Sequence, residues 1–251
     1  MIKRFNRYEL KYIINSRQYH GLCQDLKNFM IPDAYGDGDG FYRILSLYYD
    51  SPTYSGYWSK IEGLKFRRKL RLRVYPGTDP SKITTGFVEI KQRLNRTVQK
   101  KRVILPIDEA ERLCNFAEVP RGLDARDTEA AEEMAYMVRS LGLRPAAIVS
   151  YRRHAWMGGQ FEKGMRLTFD MQLQGRMNSL NVREAAKVHY FLPPDVFVME
   201  VKVNERVPAW VTSVLAQHDC QLGRISKYCS VVSHEMKSLK TALEHKENIY
   251  G

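Results

Sequence analysis

The 251-residue sequence has no apolar run approaching the roughly 20 residues that a membrane-spanning helix requires, which argues against a chain that crosses a bilayer by helices. Its four cysteines, Cys23, Cys114, Cys220 and Cys229, show no C-x-x-C spacing. Neither a disulfide framework nor a zinc site is therefore expected, and the expected setting is reducing and cytoplasmic. No stretch rich in Gly, Ser or Pro is long enough to separate autonomous units, so a single domain over residues 1–251 is expected, and no repeat of fixed period emerges. The basic stretch from Met1 to Arg7 runs straight into a strand pattern and is not read as a targeting segment. Acids are also in deficit. With 28 Asp and Glu against 40 Lys and Arg, the chain carries a formal charge of +12, a surplus that calls for an anionic partner: nucleic acid, acidic membrane or a polyanionic small ligand.

What is present is alternation. RYELKYIIN (7–15) puts Arg7, Glu9 and Lys11 on one face of a strand. SRQYHGLCQDLKNFM follows with Tyr19, Leu22, Leu26 and Phe29 at helical spacing and Ser16 as the expected N-cap. YRILSLYYDS reads as a strand stopped by Asp50, Ser51 and Pro52. In KFRRKLRLRVY, Arg67, Lys69, Arg71 and Arg73 face one way and Leu70, Leu72 and Val74 the other. GFVEIKQRL and TVQKKRVIL predict a hairpin around Asn95 and Arg96, with Glu89, Lys91 and Arg93 aligned. Residues 108–117 and 128–141 read as helices. AIVSYRRHAWM, MRLTFDMQL and VFVMEVKVN read as further strands, and RVPAWVTSVLAQH and ISKYCSVVSHEMKSLKTALEH as further helices.

One such strand is unremarkable, because a half-solvated antiparallel sheet alternates in the same way. Several strands with charge on matching positions and apolar opposite faces predict an α+β fold: an antiparallel β-barrel tunnel with helices packed on the outside. Lys and Arg gathered inside would repel one another unless anions or acidic neighbours compensated. A linear polyanion meets that need, since Arg offers a planar donor fork to phosphate oxygens and Lys a compact charge. Three acids interrupt the basic faces as E-x-K: Glu9 with Lys11, Glu89 with Lys91 and Glu200 with Lys202. Carboxylates suit Mg²⁺ or Mn²⁺, though each could instead serve only to pair with neighbouring bases.

The ordered set RYELKY, SLYYDS, KLRLRVY, VEIKQR, VQKKR, SYRRHAW, MRLTFD, VMEVKV and ISKY resembles the triphosphate tunnel metalloenzymes, and most closely the polyphosphate polymerase domain of the vacuolar transporter chaperone family. The resemblance covers nearly the whole chain. It implies a tunnel in which ATP and a growing phosphate chain contact basic residues, with Mn²⁺ or Mg²⁺ held by a carboxylate. Carried over by motif, Lys11, Arg71, Arg73, Lys91 and Lys100 match phosphate ligands, as do Arg153 and Arg166 in the second half. Arg102 and Lys202 complete the basic set. Ser226 and Lys227 match a pair near the tunnel mouth, Tyr151 a nucleotide contact and Glu200 the metal-binding acid, with Glu89 and Glu9 as further metal candidates. Lys11, Arg71, Arg73, Lys91 and Glu200 are the expected catalytic residues. The first strand departs from the wider superfamily's E-x-E-x-K, because Arg7 stands where the first Glu would be. That shifts the expectation from hydrolysis towards binding and transfer of phosphate.

The expected activity is transfer of the terminal phosphoryl group of ATP onto a polyphosphate chain; hydrolysis of triphosphates and non-catalytic polyphosphate sensing are the alternatives. Nucleic acid is not expected, since stacking aromatics are not interleaved with the charges. Regulation and product export are expected to fall to partners, with a separate membrane protein for export. Asp37 to Gly40 (DGDG) lacks the ligand spacing of a calcium loop, and the six histidines form no metal-site spacing.

Overall fold

A computed structural model of the chain describes residues 7–250 other than 78, 96, 161 and 205, with side chains described over 8–238. The expectations resting on the Arg7 side chain, Arg96 and residues 1–6 lie outside that range. In chain order the elements are β1 (Arg7–Asn15), α1 (Ser16–Leu26), β2 (Met30–Pro32), β3 (Phe41–Asp50), α2 (Ser55–Ile61), β4 (Phe66–Val74), β5 (Thr85–Leu94), β6 (Thr97–Pro106), α3 (Ile107–Phe116), α4 (Ala125–Leu141), β7 (Arg144–Gly158), β8 (Arg166–Arg176), β9 (His189–Tyr190), β10 (Val196–Asn204), α5 (Ala209–Gln217) and α6 (Lys227–Tyr250). The class is α+β and the strand pairing is antiparallel.

The chain forms two compact units. The first comprises residues 1–43, 151–173 and 192–226. In it β1 pairs with β10 and β10 with β8, while β2 pairs with the end of β7. Period-two alternation sorts the side chains. Tyr12, Ile14, Leu167, Phe169, Met199, Val201 and Val203 pack into a core with Leu22 and Leu26 of α1 and Val211 and Leu215 of α5. The intervening positions, Glu9, Lys11, Glu200, Lys202, Arg166 and Asp170, carry the charge. Asn15, not Ser16, is the N-cap of α1: its side chain accepts from the Gln18 amide and the Gln18 side chain accepts from the Asn15 amide, a reciprocal capping box. Gly21 lets α1 approach α5, since a Cβ there would lie 2.4 Å from the His218 ring.

The second unit comprises residues 44–150, 174–191 and 227–251. Its strands run β3, β4, β5, β6 in order, with β5 and β6 joined through Asn95 at φ 54°. Leu70, Leu72, Val88, Ile90, Val103 and Leu105 form one face and are buried beneath Leu113 of α3 and Met134 and Val138 of α4. Gly86 is required there, because a Cβ would lie 2.6 Å from that of Ala110. The buried Asp50 carboxylate accepts from the amides of Ser51, Gly56 and Tyr57 and from the Tyr228 hydroxyl at 2.5 Å, tying α2 and α6 to the end of β3. In neither unit do the described pairings close into a ring.

Candidate functional site: two cation-rich sheet faces

The expected site residues that lie on strands fall into two groups, one in each unit, while Ser226 and Lys227 lie outside the strands.

In the first unit, register sets the chemistry. Lys11 lies directly opposite Glu200, which lies opposite Thr168; Glu9 lies opposite Lys202, which lies opposite Arg166. The Lys11 ammonium donates to Glu200 Oε1 at 2.7 Å and sits 3.1 Å from Glu9, while Lys202 is 3.4 Å from Glu200 Oε2. Burial opposes the charge on Lys11, but Glu200 and then Glu9 outweigh it and raise its pKa. Arg153 and Asp170 form a buried two-bond pair at 2.6 and 2.8 Å. Burial there also works against the guanidinium, and Asp170 more than compensates, keeping its pKa well above the ordinary value. Arg166 donates through Nη2 to Asp33 at 2.7 Å and to the Tyr42 hydroxyl at 2.6 Å. Its Nε and the Thr168 hydroxyl are buried without a hydrogen-bond partner among the described residues. Tyr151 is buried, with the Arg153 guanidinium 5.4 Å from its ring centre. Ser226 ends this unit's last segment.

The second unit gathers Arg71, Arg73, Glu89, Lys100 and Arg102. The fully buried Glu89 carboxylate receives Arg71 Nε at 2.6 Å, with Arg73 Nε 3.9 Å away, on Oε2, and Lys100 at 2.5 Å and Arg102 Nη2 at 2.6 Å on Oε1. Among the described residues four cations share this one carboxylate. Burial alone would raise the Glu89 pKa; Arg71, then Arg73 and Lys100, hold it well below the usual carboxylate range. Lys100 moves down as well, to about 8, because burial comes first and Arg102 and Arg71 crowd it, with Glu89 only partly offsetting them. Both members of this ion pair shift in the same direction because the anion is oversubscribed. Lys91 lies directly between Lys69 and Lys100 in the β4, β5, β6 register. Lys227 is the first residue of α6.

Sequence reasoning missed several members. The Tyr48 hydroxyl accepts from Arg71 at 3.0 Å and the Ser46 hydroxyl from Arg73 at 3.4 Å. Burial works to raise the Tyr48 pKa, but Arg71 and Arg73 turn it downward. Ser46, Tyr48 and Asp50 alternate along β3, and that parity was the available signal. Asp33 and Tyr42, which hold Arg166, had none.

The donor set permits a divalent cation of limited kind. Mg²⁺ is usually held by one or two carboxylates and completed by substrate phosphates and water. Glu9 and Glu200, both at Lys11, fit that pattern, whereas no group of three or more His, Cys, Asp or Glu ligands exists among the described residues. Glu89, enclosed by four cations, is a poor ligand for a further one.

Fold and site together define an α+β protein whose antiparallel strands present a cation-rich face in each of two units. A family model described as the VTC domain matches residues 6–236, and the chain belongs to that family. Among curated proteins none matches. Of solved structures, a Bacillus halodurans protein proposed to be an adenylate cyclase is similar, with 13% identity, a TM-score of 0.51, and 87% of this chain and 92% of that one covered. A Vibrio parahaemolyticus protein with the same proposed activity has 12% identity and a TM-score of 0.44, over 90% of this chain and 97% of that one. At 13% identity the likeness to the Bacillus halodurans protein is one of fold alone. Among the described residues no helix is long and apolar enough to cross a membrane.

Proposed function

We propose that this protein is a polyphosphate polymerase-like phosphotransferase, moving the terminal phosphoryl group of ATP onto a polyphosphate chain. The observation that carries the reading is Glu89: one buried carboxylate is shared by four cations, which builds a preorganised, cation-rich face. A phosphate chain presents negative charge in a form that Arg forks and Lys ammonium groups recognise. VTC-family membership and the tunnel-type fold support the same ligand class.

In this reading Arg71, Arg73, Lys91, Lys100 and Arg102 orient phosphates on one face, while Lys11, Arg153, Arg166 and Lys202 do so on the other, with Tyr151, Ser226 and Lys227 contributing contacts. The whole chain acts as one functional domain. Phosphoryl transfer needs no protein nucleophile: positioning and electrostatic stabilisation account for most of the catalysis, and the acceptor's terminal oxygen attacks the γ-phosphorus as the bond to ADP breaks. Mn²⁺ or Mg²⁺ at Glu200 and Glu9 would neutralise charge on the phosphate oxygens. We place the activity in the cytoplasm, with a separate membrane protein for export.

The test is incubation of the purified protein with ATP and Mn²⁺, resolving ADP, free phosphate and polymer, with Glu200→Gln and Arg71→Ala in parallel. ADP with polymer is the expected product pair, and both variants should lose it. Free phosphate alone assigns hydrolysis, and phosphate-chain binding without turnover assigns a sensor.

A further inference from the structure

The second unit carries an apolar surface that the proposed phosphate chemistry does not use. After α2 the backbone turns at Gly63, with φ 74°, and six consecutive residues, Ile61 to Phe66, are exposed. Ile61, Leu64 and Phe66 are 53%, 50% and 49% exposed, and Trp58, about one turn before Ile61 on the same side of α2, is 46% exposed. Phe66 lies directly opposite Leu94 in the register of β4 and β5, and Leu94 is itself 52% exposed. The Asn95 amide donates to the Lys65 carbonyl at 2.8 Å, which seats the end of the β5 and β6 hairpin against this turn. Single exposed apolar side chains are ordinary, but five gathered at one strand end mark a contact surface.

The charge around this surface is predominantly positive. Residues 58–68 carry Lys60, Lys65, Arg67 and Arg68 against Glu62 alone. Lys60 stands in the last turn of α2 and Lys65 is exposed between Leu64 and Phe66. The Arg68 guanidinium lies 5.5 Å from the centre of the Phe66 ring and 4.0 Å from Glu133. Apolar and cationic side chains therefore alternate along one short stretch of exposed chain.

We propose that Trp58, Ile61, Leu64, Phe66 and Leu94, with Lys60 and Lys65 among them, form a docking surface for an anionic phospholipid bilayer. Such a bilayer places an apolar layer directly beneath negatively charged headgroups, which complements both chemistries of the surface. The aliphatic side chains enter the acyl boundary, Trp58 suits the interfacial layer, and the lysines reach anionic headgroups on their apolar stems. Nucleic acid supplies negative charge but no apolar layer, and Ile61, Leu64 and Leu94 have no ring on which a base could stack. Docking of this kind needs no helix that crosses the bilayer, and none of these seven residues is assigned a phosphate in the proposed function.

The experiment is flotation of the intact protein with vesicles of phosphatidylcholine alone and of phosphatidylcholine mixed with phosphatidylserine, read together with tryptophan emission. Wild type should float with the mixed vesicles about fivefold more than with phosphatidylcholine alone. Its emission should shift to the blue, and Trp58→Phe should remove the shift, because Trp156 is buried and Trp210 stacks on Phe29. Leu64→Ser/Phe66→Ser should cut flotation about tenfold with unchanged melting temperature and tripolyphosphate affinity. Lys60→Glu/Lys65→Glu should also abolish the preference for phosphatidylserine. Equal flotation with both vesicles, flotation with neither, or flotation kept by the folded Leu64→Ser/Phe66→Ser variant overturns the docking surface and leaves the phosphate reading standing. A blue shift that persists in Trp58→Phe places the lipid elsewhere and also overturns it. If the serine variant loses single-stranded DNA binding rather than flotation, the surface belongs to nucleic acid and the proposal fails.

Discussion

Lys11 and Glu200 face each other across β1 and β10, the ammonium 2.7 Å from Oε1, in a register that also brings Glu9 onto the same ammonium. Under the proposed function this pair joins a phosphate-orienting ammonium to the carboxylate that would hold a divalent cation. Glu200→Gln keeps the shape and an acceptor for Lys11 but removes the charge. We expect turnover with ATP and Mn²⁺ to fall by at least 100-fold, while tripolyphosphate binding without metal is retained or tightened. Parallel product analysis and calorimetry check this. Equal loss of binding and turnover would place Glu200 in the scaffold instead.

Glu89 is expected to govern stability as well as binding. Glu89→Gln leaves Arg71, Arg73, Lys100 and Arg102 without their shared anion. The expected cost is roughly 2–4 kcal/mol, near the lower end for breaking a buried pair because the cations keep partial access to water. Tripolyphosphate should recover more melting temperature in this variant than in wild type, since the ligand replaces the missing charge. Thermal melts with and without ligand measure both effects.

The strand faces were legible because period-two alternation is local. Lys11, Arg71, Arg73 and Glu200 could be placed on polar faces from their immediate neighbours alone. What these residues touch was not legible. Arg166 is held by Asp33 and Tyr42, respectively 133 and 124 positions away, and no local pattern encodes such a pairing. The E-x-K repeats left two roles open for each Glu, metal ligand or partner of neighbouring bases, without saying which bases. For Glu89 the ion pairs cross to β4 and β6, which register alone decides. The helix α1 begins one residue earlier than read because Asn15 completes both the strand alternation and the capping box.

If Lys100 binds phosphate as proposed, it makes that binding sensitive to pH in a defined direction. Its pKa of about 8 in the free protein means that it is mostly protonated at pH 7 and mostly neutral at pH 9, and a bound phosphate favours the protonated form. Affinity should therefore fall as pH rises through about 8, by up to about tenfold per unit above it for a single linked proton. Lys100→Arg should flatten this dependence. Titrations at pH 7, 8 and 9 test it, and a wild-type profile no steeper than that of the arginine variant would remove Lys100 from the site.

His154 sets a separate acid limit on the fold. Buried beneath the stacked Phe41 ring and bonded through Nδ1 to the Tyr19 hydroxyl at 2.9 Å, it has its pKa lowered from 6.5 to about 4, chiefly by burial. The unfolded chain takes up this proton first. The histidine's stability contribution is therefore intact above pH 6.5 and is lost as pH falls towards 4, by at most about 3 kcal/mol at 1.36 kcal/mol per unit. His154→Gln should lose less stability than wild type over that interval, as read by denaturant melts from pH 7 to 4.5.

The most direct measurement is calorimetric titration of tripolyphosphate into wild-type protein and into Arg71→Gln/Lys100→Gln at pH 7 without metal. The account predicts saturable binding by wild type, weakened by at least 50-fold in the double variant, which should remain folded. Wild-type protein that does not bind, or a folded double variant that binds equally well, would contradict it.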